Sequence, residues 1–431
     1  MLESYNDAVQ FLYTNLPMFQ RIGAAALKLD LSNTISLCEA LGNPQEKFKS
    51  VHIAGTNGKG SSSHMIASVL QEAGYRTGLY TSPHLKDFTE RIRLDGQPVP
   101  RSFVLDFVNR ITPHIDRIKP SFFEITVAMA FDYFVEAEVD IAVIETGLGG
   151  RLDSTNVITP FVSLITNIGW DHKDILGDTL EKIAAEKAGI IKQGVPVVIS
   201  ERQKNIEDVF IQRSHEVSAP ITFATDHYRV DQTNSNGINQ LHVAKDGHVL
   251  FDAIELPLQG NYQRKNVAGV LAVVNVLRER GLDIDDSHIA NGLTGVVTNT
   301  NLKGRWQILS RNPLAIADTG HNIDGIREVV SQIRSQKYER LFMIIGVVKD
   351  KDITAILAEL PIDATYYFCE AKIPRALPAE QLRIAAGAAG LRGEVISDVN
   401  VALAKAREIA GKNDLIFIGG STFTVAEIEN L

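Results

Sequence analysis

The segment Val51-His52-Ile53-Ala54-Gly55-Thr56-Asn57-Gly58-Lys59-Gly60-Ser61-Ser62 constrains the fold more than any other stretch of the chain. An apolar run ends in a glycine-rich turn, and a stretch of helical period with inward positions Met65, Ile66, Val69 and Leu70 follows at once. Strand, turn, lysine and helix in that order make the setting of a phosphate loop. Glycines let backbone N–H groups converge on an anion, the helix N-terminus adds its positive dipole, and Lys59 adds a point charge. The generic pattern has Gly where Ile53 stands and Ser or Thr where Gly60 stands, so this loop is a variant. The bland alternative is a glycine turn that only packs helix on strand.

Around this loop, short apolar runs alternate with stretches of helical period, the pattern of a doubly wound, mostly parallel sheet covered by helices. Val51–Ala54, Thr77–Tyr80, Ile141–Ile144, Val162–Thr166 and Val195–Ile199 read as strands. Lys59–Ala73, Phe103–Ile118, Phe122–Ala137 and Thr179–Ile191 read as helices, and Asn261–Arg280 and Asp285–Gly295 as later ones. Residues 221–258, with turn signals Ser235-Asn236-Gly237 and Asp246-Gly247, suggest a small antiparallel excursion. The polar, aperiodic Val297–Gly304 reads as a linker. A fresh alternation follows, with strands at Leu314–Ala317, Leu341–Gly346, Thr365–Cys369 and Leu415–Ile418. The expectation is α/β: a phosphate-loop domain over residues 1–298, then a smaller, Rossmann-like α/β domain over 304–431. A length of 431 residues allows two or three domains at roughly 150 each.

Composition narrows the class. With 43 Lys plus Arg against 52 Asp plus Glu, the formal charge is -9, so no global field draws polyanions and nucleic acid is not expected as a partner. Cys38 and Cys369 are too few and too far apart for a thiolate metal site or a disulfide framework. Met1–Gln10 lacks the basic start and apolar core of a secretory signal, and no uncharged apolar stretch is long enough to span a bilayer. A cytoplasmic protein without membrane contact is expected.

Three residues stand out on physical grounds. Glu145 closes the run Ile141–Ile144 and so emerges at the carboxyl edge of the sheet, where open α/β sheets bind ligands and where a carboxylate suits magnesium. A strand-end acid or helix cap is its plainer reading. His172, beyond Val162–Thr166, emerges near the same edge, although imidazole seldom binds a hard cation and a structural histidine is the simpler account. Lys187 shares the inward stripe of Leu180, Ile183, Ala184 and Ile191. An ammonium aimed inward must snorkel, pair, lose its proton or be modified.

Gly-Thr-Asn-Gly-Lys-Gly-Ser resembles the loop of the Mur ligase superfamily, specifically of dihydrofolate synthase and folylpolyglutamate synthase. Further matches run in order: Thr81-Ser82-Pro83-His84-Leu85, Glu90-Arg91-Ile92, Glu145-Thr146-Gly147-Leu148-Gly149-Gly150-Arg151-Leu152-Asp153, Asp171-His172, Glu186-Lys187-Ala188-Gly189, Gly304-Arg305, Asp318-Thr319-Gly320-His321-Asn322 and Gly419-Gly420-Ser421.

The resemblance implies ATP as nucleotide, held by Asn57, Gly58, Lys59, Gly60, Ser61, Asn266, Arg305 and Asp318, and two Mg2+ ions. Thr81 matches a hydroxyl ligand of the first ion, His172 matches a ligand of the second, and Glu145 is a further metal ligand. Lys187 matches a lysine that carbon dioxide carbamylates, and His321 lies beside the reacting groups. Phe123 and Asp153 match pterin contacts, although Phe123 alone would read as helix core, and Ser421 matches a substrate contact. Nucleotide contacts on both domains imply closure before chemistry.

The activity so implied is an ATP-dependent amide ligase that adds L-glutamate to dihydropteroate or a reduced folate through an acyl phosphate, as a monomer. Another Mur-type ligase acting on a cell-wall precursor or polymer end is the alternative enzyme, and the mere 48 or so residues before the phosphate loop favour the folate branch. From another class, a nucleotide-dependent switch would release phosphate without regard to glutamate.

Overall fold

β1 (Lys49–Ala54) is buried along nearly its whole length, and that burial puts the phosphate loop in the middle of a sheet rather than at an edge. A computed structural model of the chain describes residues 1–19, 23, 30–235 and 238–431. β1 pairs in parallel with β5 (Ile141–Glu145) on one side and β6 (Val162–Ile165) on the other. Outward from β5 lie β2 (Thr77–Tyr80), β3 (Ile92–Leu94) and β4 (Gln97–Pro98), and outward from β6 lie β7 (Val197–Ile199) and β8 (Ile221–Phe223). The order is β4-β3-β2-β5-β1-β6-β7-β8, parallel from β2 to β8, with β3 and β4 added antiparallel. The chain leaves β1, skips the place of β5 and returns as β2, so the carboxyl ends of β1, β2, β5 and β6 frame a crevice of the kind that binds ligands in open sheets.

The helix Lys59–Glu72 is buried from Ser61 to Leu70, between the sheet and the helices Gln263–Glu279 and Asp286–Thr294. Its serines tolerate this because their hydroxyls find partners, as Ser68 Oγ donating to Gly292 O at 2.6 Å shows. The helix Phe122–Glu136 opens on a capping box formed by Ser121 and Glu124.

Two sequence expectations need correction here. Residues 221–223 belong to the main sheet as β8, and the antiparallel excursion is only β9 (Tyr228–Ser235), β10 (Ile238–Lys245) and β11 (His248–Leu256), with the turn at Asp246-Gly247 in place. Asn236 and Gly237 of the other expected turn lie outside the described residues. The expected linker Val297–Gly304 begins as the helix Val296–Thr300. Its polar groups are spent locally: Thr300 Oγ1 donates to Val296 O, and Asn299 Nδ2 donates to Ser68 Oγ at 3.1 Å and Glu72 Oε1 at 2.8 Å. Polar residues that satisfy one another inside a fold look like a linker to composition alone.

The chain divides into two units, one of residues 1–169, 173–257 and 263–302, the other of residues 170–172, 258–262 and 303–431. The second holds the sheet β12 (Gln307–Arg311), β13 (Leu314–Ala317), β17 (Leu415–Gly419), β14 (Leu341–Ile345), β15 (Thr365–Phe368) and β16 (Gly393–Val395), in that spatial order. Only β12 runs antiparallel to its neighbour. One face packs around Ile316, Met343 and Phe417, the other around Ala315, Ile344 and Ile416.

Candidate active site

In the first unit, the loop after β1 owes its shape to two glycines. Gly55 has φ +150° and Gly58 φ +86°, and a Cβ on them would lie 1.8 Å from Thr166 Oγ1 and 2.2 Å from Asn266 Oδ1. The loop is held from β6 as well: Thr166 Oγ1 donates to Asn57 O at 2.6 Å, and Asn57 N donates to Asn167 Oδ1 at 2.9 Å. Lys59 opens the helix and folds its Nζ back onto Gly55 O at 2.9 Å and Thr56 O at 3.3 Å. Gly60 follows in the first turn. Ser61 Oγ accepts from Gln263 Nε2 at 3.1 Å, and Gln263 Oε1 accepts from Asn266 Nδ2 at 2.8 Å, so Asn266 is tied to the loop.

Lys187 sits on the helix Leu180–Ala188, capped by Thr179, and is only 3% exposed. Its Nζ donates to Gly55 O at 3.0 Å, the carbonyl that also receives Lys59. The helix ends sooner than the expected Ile191, but the inward stripe of Ile183, Ala184 and Lys187 stands.

Glu145, 4% exposed at the end of β5, accepts from Ser82 N at 3.2 Å. That bond brings it to the loop carrying Thr81, whose own N–H donates to Arg91 O at 3.0 Å. Phe123 is half-buried, with its ring over Gly147 and 6.2 Å between its centroid and that of Tyr80. Asp153, 5% exposed, accepts from Leu148 N at 2.8 Å through Oδ2 and from Thr155 N at 3.0 Å and Thr155 Oγ1 at 2.5 Å through Oδ1. Burial pushes its carboxyl above the usual range, against the pull of these hydrogen bonds. Phe123 and Asp153 therefore border one turn, Gly147-Leu148.

In the second unit, Asp171 is a hub. Its Oδ1 receives Lys351 Nζ at 2.5 Å, and its Oδ2 faces His321 Nε2 at 3.5 Å and Asn322 Nδ2 at 3.4 Å. Burial alone would raise its carboxyl, but the hydrogen bond from His321 and the Lys351 ammonium beside it hold it far below the carboxylate range. His172, at φ +50°, lies 3.8 Å from Asp171 Oδ1, and burial drives its imidazole down to about 3, the neutral form in which a histidine binds metal. His321 Nδ1 lies 3.0 Å from Thr319 O.

Asp318 ends β13 and accepts three donors: Tyr262 Oη and Trp306 N on Oδ2, and Gly320 N on Oδ1, each at 2.7 Å. Arg305 donates to Thr319 Oγ1 close by. Ser421 caps the helix Thr422–Ala426, accepting from Thr424 N at 3.0 Å, and is buried. Among the described residues, no group of three or more His, Cys, Asp or Glu side chains is arranged to hold a metal ion.

Residues 53–274 match the Mur ligase middle domain, and residues 304–422 match the Mur ligase, glutamate ligase domain. The dihydrofolate synthase/folylpolyglutamate synthase of Bacillus subtilis (strain 168) is 32% identical, with 99% of each chain covered. The chain belongs to the dihydrofolate synthase/folylpolyglutamate synthase family of Mur ligases. E. coli FolC in complex with DHPP and ADP superposes with a TM-score of 0.86 at 29% identity, over 99% of this chain and 97% of that one. A bifunctional folylpolyglutamate synthase/dihydrofolate synthase with Mn, AMPPNP and L-glutamate bound gives 0.83 at 29%, over 99% and 97%. The fold is that of these synthases, and the protein is an ATP-dependent Mur-type ligase.

As a family member it also shows what the sequence reading passed over. Lys351 was missed, and Asp171 was noticed only as the neighbour of His172. The signal was present: Asp350-Lys351-Asp352 follows the apolar β14, at the kind of strand end where such sheets place their chemistry. Asp318 is only 3% exposed, with both oxygens engaged. Ser421, expected to touch substrate, caps the helix that follows it, its hydroxyl lying 2.8 Å from Thr424 Oγ1.

Proposed function

We propose that this ligase uses ATP to join L-glutamate to dihydropteroate and to reduced folates, giving dihydrofolate and folylpolyglutamates. The γ-phosphoryl group of ATP passes to the acceptor carboxylate, giving an acyl phosphate and releasing ADP; the glutamate amine then attacks the acyl carbon, phosphate leaves and the nitrogen gives up a proton. The observation that carries the reading is the phosphate loop at the centre of the sheet, with Lys59 at its mouth and Asn266 against Gly58. Lys59, Asn57, Gly58, Gly60, Ser61 and Asn266 hold the triphosphate, while Arg305 and Asp318 hold the rest of the nucleotide. His321 serves the reacting groups. Phe123 stacks on the pterin and Asp153 accepts its N–H groups. Ser421 enters through the Gly419-Gly420-Ser421 turn it fixes rather than through its own hydroxyl.

The donors fit magnesium. Thr81 and Glu145 offer hydroxyl and carboxylate oxygens, the hard ligands that ion takes, and His172 is neutral. Magnesium, when bound, neutralises phosphoryl charge. Lys187 is no ligand as a cation. Its neutral amine can add to carbon dioxide, forming an N–C bond and releasing a proton, which leaves a carboxylate for a second ion.

The reading carries with it a cytoplasmic monomer of two domains, residues 1–298 and 304–431. Buried, free Cys38 and Cys369 suit a reducing compartment. The test is incorporation of labelled glutamate into dihydropteroate and tetrahydrofolate separately, with ATP and magnesium. Product from both is expected, and product from neither overturns the reading.

A further inference from the structure

We propose that His52 and Thr155 are positioning residues for the acceptor: through one hydrogen-bonded chain they hold the Asp153 carboxylate as an oriented acceptor for the pterin head group. The inference rests on the assignment of Asp153 above and deepens it.

The chain is short and wholly buried. Thr155 Oγ1 lies 2.5 Å from Asp153 Oδ1 and 2.8 Å from His52 Nε2. His52 sits on β1, opposite Ile144 and Ser163, and has no accessible surface. A threonine hydroxyl has one proton to give. An ionised carboxylate can only accept, so that proton goes to Asp153, and Thr155 Oγ1 must then receive an N–H from His52 Nε2. The tautomer follows: Nε2 carries the hydrogen and Nδ1 a lone pair.

The far nitrogen makes this direction the favoured one. His52 Nδ1 is buried with no hydrogen-bond partner among the described residues. If the chain ran the other way, a protonated Asp153 would donate to Thr155, Thr155 would donate to Nε2, and the hydrogen would sit on Nδ1 as a buried donor facing nothing. A stranded donor is rarer and costlier than a bare lone pair. The orphan nitrogen thus polarises the whole chain toward Asp153 and keeps its proton off. Burial holds the His52 imidazole neutral, with its pKa near 3, so the ring donates without bringing a charge into the sheet. Burial also raises the Asp153 carboxyl, and donation from Thr155 opposes that rise.

A satisfied core histidine, the simpler account, explains why His52 is buried. It does not explain why, among the described residues, the one partner of its ring is the hydroxyl bonded to Asp153 and the opposite nitrogen is left bare. β1 therefore carries two devices: the phosphate loop at its end, and three residues before Gly55 a histidine that sets the acceptor side.

The experiment is steady-state kinetics of the full chain with dihydropteroate varied at saturating ATP and glutamate. Thr155→Val keeps the shape and removes the hydroxyl, whereas Thr155→Ser keeps the hydroxyl. His52→Leu removes the ring donor, whereas His52→Gln retains an N–H at similar reach. Thr155→Val and His52→Leu should raise the KM for dihydropteroate about tenfold, the loss of one hydrogen bond to a charged group, with kcat and the KM for ATP within about twofold. Thr155→Ser and His52→Gln should stay near the parent. Should Thr155→Val and Thr155→Ser raise KM equally, packing rather than donation is responsible and the proposal fails. It also fails if Asp153→Asn raises the KM while Thr155→Val and His52→Leu do not. An unchanged KM in Asp153→Asn removes the assignment beneath it, which is a separate result.

Discussion

Lys59 and Lys187 place their ammonium nitrogens on the same oxygen, the carbonyl of Gly55, at 2.9 and 3.0 Å. One lysine opens the helix of the phosphate loop and the other reaches in from the helix Leu180–Ala188, buried. Two cations on one carbonyl repel, and a site that must receive a polyphosphate has use for both only if one gives up its charge or the anion arrives.

Lys187 should therefore be carbamylated in the working enzyme. With 13C-labelled bicarbonate, a carbamate carbon signal should appear in the parent and vanish in Lys187→Ala. Turnover of Lys187→Ala should fall by about a thousandfold, the order lost with one electrostatic group of a reacting site. Short-chain carboxylic acids that refill the gap should restore part of it. A parent enzyme with full turnover and no carbamate signal in carbon-dioxide-free buffer would sink the modification.

Lys59→Ala should lose turnover by at least about a hundredfold while the thermal midpoint moves by only a few degrees. Among the described residues its Nζ bonds only to two carbonyls of its own loop, so the core loses little packing. Turnover within threefold or so of the parent would remove the phosphate-loop assignment.

Asp318 and Arg305 should part company in stability. Asp318→Ala strands Trp306 N–H and Tyr262 Oη–H in a buried place, which costs about 3 kcal/mol, whereas Arg305→Ala, half-buried beside Thr319, costs about 1 kcal/mol or less. Both should weaken ATP binding. Urea midpoints and nucleotide titration calorimetry on the two variants decide this, and equal stability losses would refute the buried-hub account of Asp318.

How far such detail was legible in the chain depended on whether burial wrote it into the sequence. β1, β2, β5 and β13 are apolar runs because both faces are covered, and their expected limits agree with the structure to within two residues. β12 and β16 are half-exposed edge strands, with no such run, and passed unnoticed. The loop chemistry divides the same way. The folding of Lys59 back onto Gly55 and Thr56 belongs to a motif that announces itself. The pairing of Asp171 with Lys351 joins residues 180 apart, and no local pattern records such a pairing.

Acid stability should depend on Asp414. Its oxygens take Arg340 N at 2.9 Å, Arg340 Nη2 at 2.6 Å and Gly411 N at 2.7 Å, clasping the starts of β14 and β17. Burial would raise its carboxyl, but the Arg340 guanidinium and the backbone donors hold it below the ordinary range. A depressed folded-state pKa means that the stabilisation is present above the unfolded value, about 4, and is lost as pH falls through the folded one. Asp414→Asn should thus be less stable than the parent at pH 7, and the gap should close as the pH falls below the unfolded value of about 4. Parallel denaturation curves for the two proteins across that range would contradict the assignment.

Phe123 should govern the acceptor and not the nucleotide. Its half-buried ring leans on Gly147, where an added Cβ would lie 2.5 Å from Phe123 Cζ, so the turn after Glu145 and the ring fix one another. Two changes should then act on one quantity. Phe123→Ala removes the stacking face, worth about 1 kcal/mol, and should raise the KM for dihydropteroate about fivefold while leaving the KM for ATP alone. Gly147→Ala leaves the ring chemically intact but must push it aside, and should raise the same KM by a similar factor. Because each removes the same stacked arrangement, the double variant should be no worse than the poorer single one, a coupling that independent effects could not give. Tetrahydrofolate, whose more reduced pterin ring keeps the same aminopyrimidinone edge, should show the same pattern with a separately measured KM. A rise in the ATP KM, or strict additivity in the double variant, would mean that Phe123 is helix core and that the pterin is recognised elsewhere.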